Sequence, residues 1–269
     1  APDGATNNIV KNLNVVGNSN TTTLFGVFSG SSTISLASTG NGNNNNTIQN
    51  NNLSKSQYGI FSQGLNTGTK NTGNSITQNL INTASPNNVS KGGIITGFEN
   101  SLTISQNTVS EIAQSSSPDV FGITLGIQGI STSTFTGNEV TNATVSRNIV
   151  GSIRNTGTFS ACGICVAPAT SGTNAIVNNS VYGVSANGTS GDFSVGVFIG
   201  GGAGSTTQIY YNSVSMSGTQ TGGSDKSYAL AIGGSNPTVD IRNNALSNTQ
   251  SNGSGNNYAL ALGYSTFTN

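Results

Sequence analysis

Apolar residues along the chain fall in short clusters separated by Gly, Asn, Ser and Thr, and no stretch sustains the i, i+3, i+4, i+7 stripe of an amphipathic helix. Two short patterns recur instead. The first is apolar, two variable positions, Asn, one variable position, apolar. It centres on Asn51 (between Ile48 and Leu53), Asn79 (Ile76, Ile81), Asn107 (Ile104, Val109) and Asn138 (Phe135, Val140), and continues at Asn179 (Ile176, Val181), Asn212 (Ile209, Val214) and Asn244 (Ile241, Leu246). A looser first copy centres on Asn12, after Ile9. From Asn12 onward the spacings are 39, 28, 28, 31, 41, 33 and 32 residues.

The second pattern is a Gly or Ala followed by apolar residues. It appears at Gly26, Gly59, Gly93, Gly122, Gly163, Gly196, Ala229 and Ala259, with spacings of 33, 34, 29, 41, 33, 33 and 30 residues. Two patterns alternating on one beat of about 33 residues mark a solenoid. Because the clusters are rich in Ile, Val, Thr, Tyr and Phe, the repeat predicts short strands and turns. No such unit buries its own apolar face, so stacking in register is required.

These features predict an all-β fold: a right-handed parallel β-helix solenoid of about eight coils of about 33 residues, forming a single domain over residues 1–269. At ~4.8 Å per coil the rod core is about 40 Å long. Asn12, Asn51, Asn79, Asn107, Asn138, Asn179, Asn212 and Asn244 are expected to form an asparagine column at one corner. There Asn tolerates the left-handed backbone region, and its amide bonds to those above and below. Gly or Ala in the second pattern lets two walls approach closely. Two irregularities read as corner insertions: the polar run Gly40–Thr47, and the stretch from Asn138 to Gly163, which holds an extra copy of the first pattern around Asn148.

Composition narrows the function. Only 6% of residues are charged, eight Lys/Arg against eight Asp/Glu, with no His and no Trp; average proteins are roughly 25% charged. The cations are scattered singly, which argues against nucleic acid as a partner. No apolar run is long enough for a membrane span, and the first residues lack a signal-peptide pattern. The chain is expected to be a mature piece and a fragment of a longer protein, since it stops part-way into a coil.

Candidate chemistry is sparse. Cys162 and Cys165 lack the further ligands that a zinc site needs, and positions three apart on a strand should face opposite sides, disfavouring a disulfide. No cofactor or metal is expected. The carboxylates Asp3, Glu99, Glu111, Asp119, Glu139, Asp192, Asp225 and Asp240 sit at different phases of the repeat, with none of the close pairing that glycoside hydrolysis uses. Asp240 with Arg242, and Glu139 with Arg147, are the nearest approaches to an acid–base set and read as exposed ion pairs. The Gly200–Gly204 run lacks the Lys-Ser/Thr of a phosphate loop. Tyr210 and Tyr211 are candidate ligand-binding residues, because aromatic faces with polar tips suit sugars. Thr103, Thr134, Thr136 and Thr238 do not make the strict outward row that ice binding requires.

Residues 208–222, 228–232 and 237–247 resemble repeats of large secreted surface proteins of the Bacteroidota, many of them exported by type IX secretion. That resemblance is strongest over residues 176–262 and implies a pectin-lyase-like β-helix that is adhesin-like, secreted or on the cell surface. The expected function is a non-catalytic structural or adhesive segment. A carbohydrate-binding or carbohydrate-active segment, of the polysaccharide lyase or hydrolase kind, is the alternative. The partners so implied are cell-surface proteins or polysaccharide, with secretion or surface-attachment machinery engaging regions outside this chain.

Overall fold

The computed structural model describes residues 4–263 apart from 128–129, 132–133, 136, 190, 201–202, 221, 225, 235–236 and 253. Three parallel sheets, each of eight described strands, run the length of the molecule. The first wall begins at Ile9–Lys11 and ends at Thr238–Arg242. The second comprises Asn14–Val16, Asn52–Ser54, Leu80–Ile81, Thr108–Ser110, Ile149–Gly151, Ser180–Tyr182, Ser213–Met216 and Ala245–Asn248. The third begins at Phe25–Ser29 and ends at Asn257–Leu262. Every pairing along these walls joins one coil to the next, so the chain is a parallel β-helix of eight coils, as the repeat predicts.

Register follows directly from the sequence patterns. Ile48, Ile76, Ile104, Val145, Ile176 and Ile209 stack along the first wall. Leu53, Ile81, Val109, Val150, Val181 and Val214 line the second, and Ile60, Ile94, Ile123, Ile164, Val197 and Leu230 the third. All belong to one buried core, one apolar residue per wall per coil. Burying a side chain of this kind contributes about 1.5–3 kcal/mol each, and no coil could do so alone.

On the third wall the alternation of faces breaks at the glycine. Tyr58 and Phe61 lie in a second buried cluster on the outer side, while Ile60 between them faces the core. A Cβ on Gly122 would lie 2.5 Å from both the Gly163 carbonyl oxygen and Val150 Cγ1, so this row requires glycine for close approach. The break recurs in register on successive strands, residue for residue, and it places residues three apart on the same face. Cys162 and Cys165 therefore both belong to the outer cluster and are disulfide-bonded, contrary to the expectation from simple strand alternation. Toward the two ends of the wall the outer row is aromatic: Phe25 lies 4.8 Å from Phe61, Phe28 stacks on Phe61 at 5.5 Å, and Tyr228 on Tyr258 at 5.4 Å.

The asparagine rows tie the coils together from inside. Asn79 Nδ2 donates to Asn107 Oδ1 at 3.0 Å and to the Ile48 carbonyl at 2.9 Å; its backbone N–H donates to the same Asn107 oxygen at 2.9 Å. One amide thus bonds the coil on each side of it. Asn51, Asn107, Asn148, Asn179 and Asn212 repeat these three bonds, with Asn244 accepting at the end.

Two members of the expected column stand elsewhere. Asn138 is displaced by Asn148, because the extra residues of that coil leave the stack after Leu125 and return at Val140. The Phe135–Val140 copy of the pattern therefore falls in the excursion, which contains the antiparallel pair Ile130–Ser131 and Thr134–Phe135. Asn138 instead sits at the turn from the third wall to the first, its carbonyl accepting the Phe98 N–H at 3.0 Å. Asn12 is one residue early: Leu13 holds the column position, and its N–H donates to Asn51 Oδ1 at 3.1 Å.

The left-handed backbone lies in the same preceding row, at Asn12, Asn50, Gln78, Gln106, Arg147, Asn178, Tyr211 and Asn243, not at the column asparagines. The tight turn needs φ above zero just before the buried amide. The amide itself supplies hydrogen bonds.

Candidate binding surface

Among the described residues, the outward aromatic and charged side chains meet most closely on the first wall at its last two coils. Strand register sets Tyr210 beside Arg242, and Asp240 is two residues back on the same face. Tyr210 Oη donates to Asp240 Oδ2 at 2.6 Å, and Arg242 grips the same carboxylate through Nε at 2.7 Å and Nη2 at 2.6 Å. The guanidinium carbon is 5.6 Å from the centre of the Tyr210 ring. The Arg242 and Tyr210 hydrogen bonds hold the Asp240 carboxyl below its ordinary range, and the Asp240 bond raises the Tyr210 hydroxyl. This is a closed, self-satisfied unit. Tyr211 is not part of these contacts: it stands at the left-handed corner with 59% of its surface exposed.

The remaining described carboxylates are dispersed. Glu139 does not meet Arg147, which is exposed at the corner between the first and second walls; it pairs with Lys70 at 2.7 Å. Burial works to raise the Glu139 pKa, but the Lys70 bond and the Thr170 backbone and hydroxyl bonds outweigh it and leave it lowered. Ser160 draws two carboxylates to one corner: its N–H donates to Asp119 Oδ1 and its Oγ to Asp192 Oδ1, both at 2.9 Å. Glu99 is fully buried. It accepts from Ser62 Oγ at 2.6 Å, Asn74 Nδ2 at 2.9 Å and Asn71 Nδ2 at 3.5 Å, and burial raises it to about 7 despite them. Asp3, Asp225, Thr136, Gly201 and Gly202 lie outside the described residues. No group of three or more metal-ligating side chains occurs among the described residues.

Sequence reasoning missed one aromatic residue. Tyr182 pairs in register with Gly151 on the second wall. A Cβ built on Gly151 would lie 2.2 Å from Tyr182 Cζ and 2.5 Å from each Cε. Equal and short distances to both Cε atoms place that Cβ over the plane of the ring, so the ring lies flat on the glycine backbone. Tyr182 remains 42% exposed. Next to it, the small side chains of Ser213, Ser215, Ala245 and Ser247 leave a shallow trough of about 250 Å³. The available signal was a glycine in a strand of one coil and a tyrosine one coil on, visible only once the true register of Asn148 is known.

No protein-family model matches the sequence, and no curated protein matches it either. A similar solved structure is that of the Streptococcus pneumoniae surface protein and adhesin PfbA, with a TM-score of 0.50 and 13% identity over 80% of this chain and 49% of that one. The chain thus spans about half the length of the structure it matches, and at this identity the likeness is one of fold. No helix among the described residues is long and apolar enough to cross a membrane.

Proposed function

We propose that this chain is a non-catalytic, extracellular structural or adhesive segment of a large surface protein, a stiff and nearly uncharged rod that presents contact surfaces on its outer walls. The observation that carries this reading is the continuous interior of the rod. Six successive coils each contribute a buried asparagine bonded to the coils on both sides, so the molecule invests its polar chemistry in stacking. The adhesin whose fold it shares is a surface protein, which favours the same setting. Low charge weakens repulsion between neighbouring surfaces. Export by a type IX system, as in similar Bacteroidota proteins, and engagement of attachment machinery through other regions belong to this reading.

The test is adhesion. Beads coated with residues 1–269 should adhere to cells or extracellular matrix polysaccharide more than beads coated with a charged globular control. Equal adhesion would sink the adhesive reading.

A carbohydrate-active reading draws on one observation, the meeting of Asp119 and Asp192 at Ser160. Asp119 is buried and hydrogen-bonded to backbone there, which suits a corner brace better than an acid facing a scissile bond.

A further inference from the structure

From Asn14–Val16 to Ala245–Asn248, no strand of the second wall carries an Asp, Glu, Lys or Arg. The first wall carries Lys11, Asp240 and Arg242, and the third, equally uncharged, has its outward side chains in a buried cluster. The outer face of the second wall is thus the uncharged one whose side chains Tyr182, Ser213 and Ser215 reach solvent. We propose that this face binds a neutral polysaccharide chain, with the solvent-facing side of the Tyr182 ring stacking on a sugar residue. The proposal rests on the reading of the chain as a surface contact rod and names the ligand class for it.

Three features converge on Tyr182. Its ring is laid flat by Gly151, the strand glycine directly across the register, so one face is held against backbone and the other is free to stack. A flat, pre-positioned aromatic ring binds with little loss of rotamer freedom. Beside it, the trough is rimmed by the hydroxyls of Ser180, Ser213 and Ser215, which suit the alternating C–H and O–H edges of a sugar. Finally, an acidic or basic glycan would bring charges into contact with a wall that has none to compensate them, at a desolvation cost that a neutral chain avoids. Tyr210, by contrast, is committed to Asp240 and Arg242.

The probe set is soluble β-glucan, xylan and mannan, with polygalacturonate as the acidic comparison, measured by affinity electrophoresis and calorimetry on residues 1–269. At least one neutral chain should bind. Tyr182→Ala should weaken that binding by about tenfold or more, Tyr182→Phe should leave it within about twofold, and Gly151→Ala should weaken it because its Cβ displaces the ring. Thermal melts establish that each variant is folded. Unchanged binding by Tyr182→Ala, binding of polygalacturonate alone, binding of none of the chains, or self-association that Tyr182→Ala abolishes would each overturn the proposal. Bead adhesion run in parallel separates the two levels: adhesion that survives Tyr182→Ala refutes the Tyr182 site and leaves the adhesive rod standing, whereas absence of adhesion refutes the rod reading itself.

Discussion

Asn74 donates its side-chain amide to Glu99 Oε2 at 2.9 Å, at the point where the next coil offers Leu102 in place of another asparagine. Two further amide rows converge there. One runs Asn8, Asn46, Asn74 and the other Asn43, Asn71, and Glu99 follows Asn71 in register. Glu99 therefore terminates both rows, accepting from Asn71 and Asn74 where neither has an asparagine beyond it.

A carboxyl in that position makes stability depend on pH. Burial lifts Glu99 from an ordinary 4.5 to about 7. A raised folded-state value means that its contribution is fully present below about pH 4.5 and is lost as pH rises through about 7. The loss amounts to about 3 kcal/mol. Glu99→Gln should remove this dependence, leaving the variant close to wild type at pH 5 and more stable at pH 9, measured as urea midpoints. A wild-type midpoint equal at both pH values would contradict the assignment.

The asparagine column predicts a sharp difference between two residues that look alike in sequence. Asn107→Ala leaves the Asn79 N–H and Nδ2 without their acceptor and the Ile76 carbonyl without its donor. Each buried orphan costs about 1–3 kcal/mol, so denaturant unfolding should show a loss of several kcal/mol. Asn148→Ala should behave similarly, whereas Asn138→Ala, outside the column, should cost far less. A larger loss at Asn138 than at Asn148 would mean that the coil is threaded the other way.

That pair shows where sequence reading stops. The period, the number of coils and the identity of the three apolar rows were legible, because stacking places like residues over like and leaves a repeat in the chain. Local pattern could not choose between Asn138 and Asn148, since both sit in good copies and only the path of the excursion after Leu125 decides. The shorter rows at Asn8, Asn46, Asn74 and Asn174 were hidden by Leu102 and Ala143, which interrupt them. The outward face of both cysteines depended on the break at Gly163, which a strict two-residue period does not anticipate. Tyr182 was overlooked because its significance lies in the residue beneath it, Gly151, not in its neighbours along the chain.

Lys70 and Glu139 lie 69 residues apart and are both largely buried. Lys70→Ala leaves the Glu139 carboxylate with its Thr170 bonds but without the Lys70 charge and should cost about 3 kcal/mol, with the loss shrinking as Glu139 is protonated in acid. On the exposed first wall, Arg242→Ala should leave the urea midpoint unchanged. Equal losses from the two substitutions would show that the Lys70 pair is solvated.

Gly122→Ala tests the third wall. Its Cβ would meet the Gly163 carbonyl oxygen at 2.5 Å, a backbone atom that cannot move aside without disturbing the ladder. The expected result is a marked fall in melting temperature, while Gly68→Ala, where the nearest atom is a side-chain oxygen at 3.5 Å, should be close to neutral. Equal melting temperatures would remove the steric account of the glycine row.

The central claim is that this rod makes contacts and does not cleave. The direct measurement is incubation of residues 1–269 with plant, algal and microbial polysaccharides, following reducing and unsaturated ends released over time. The account predicts no release above that of a heat-denatured sample; sustained release, abolished by Asp119→Asn or Asp192→Asn, would contradict it and make the Ser160 corner an active site.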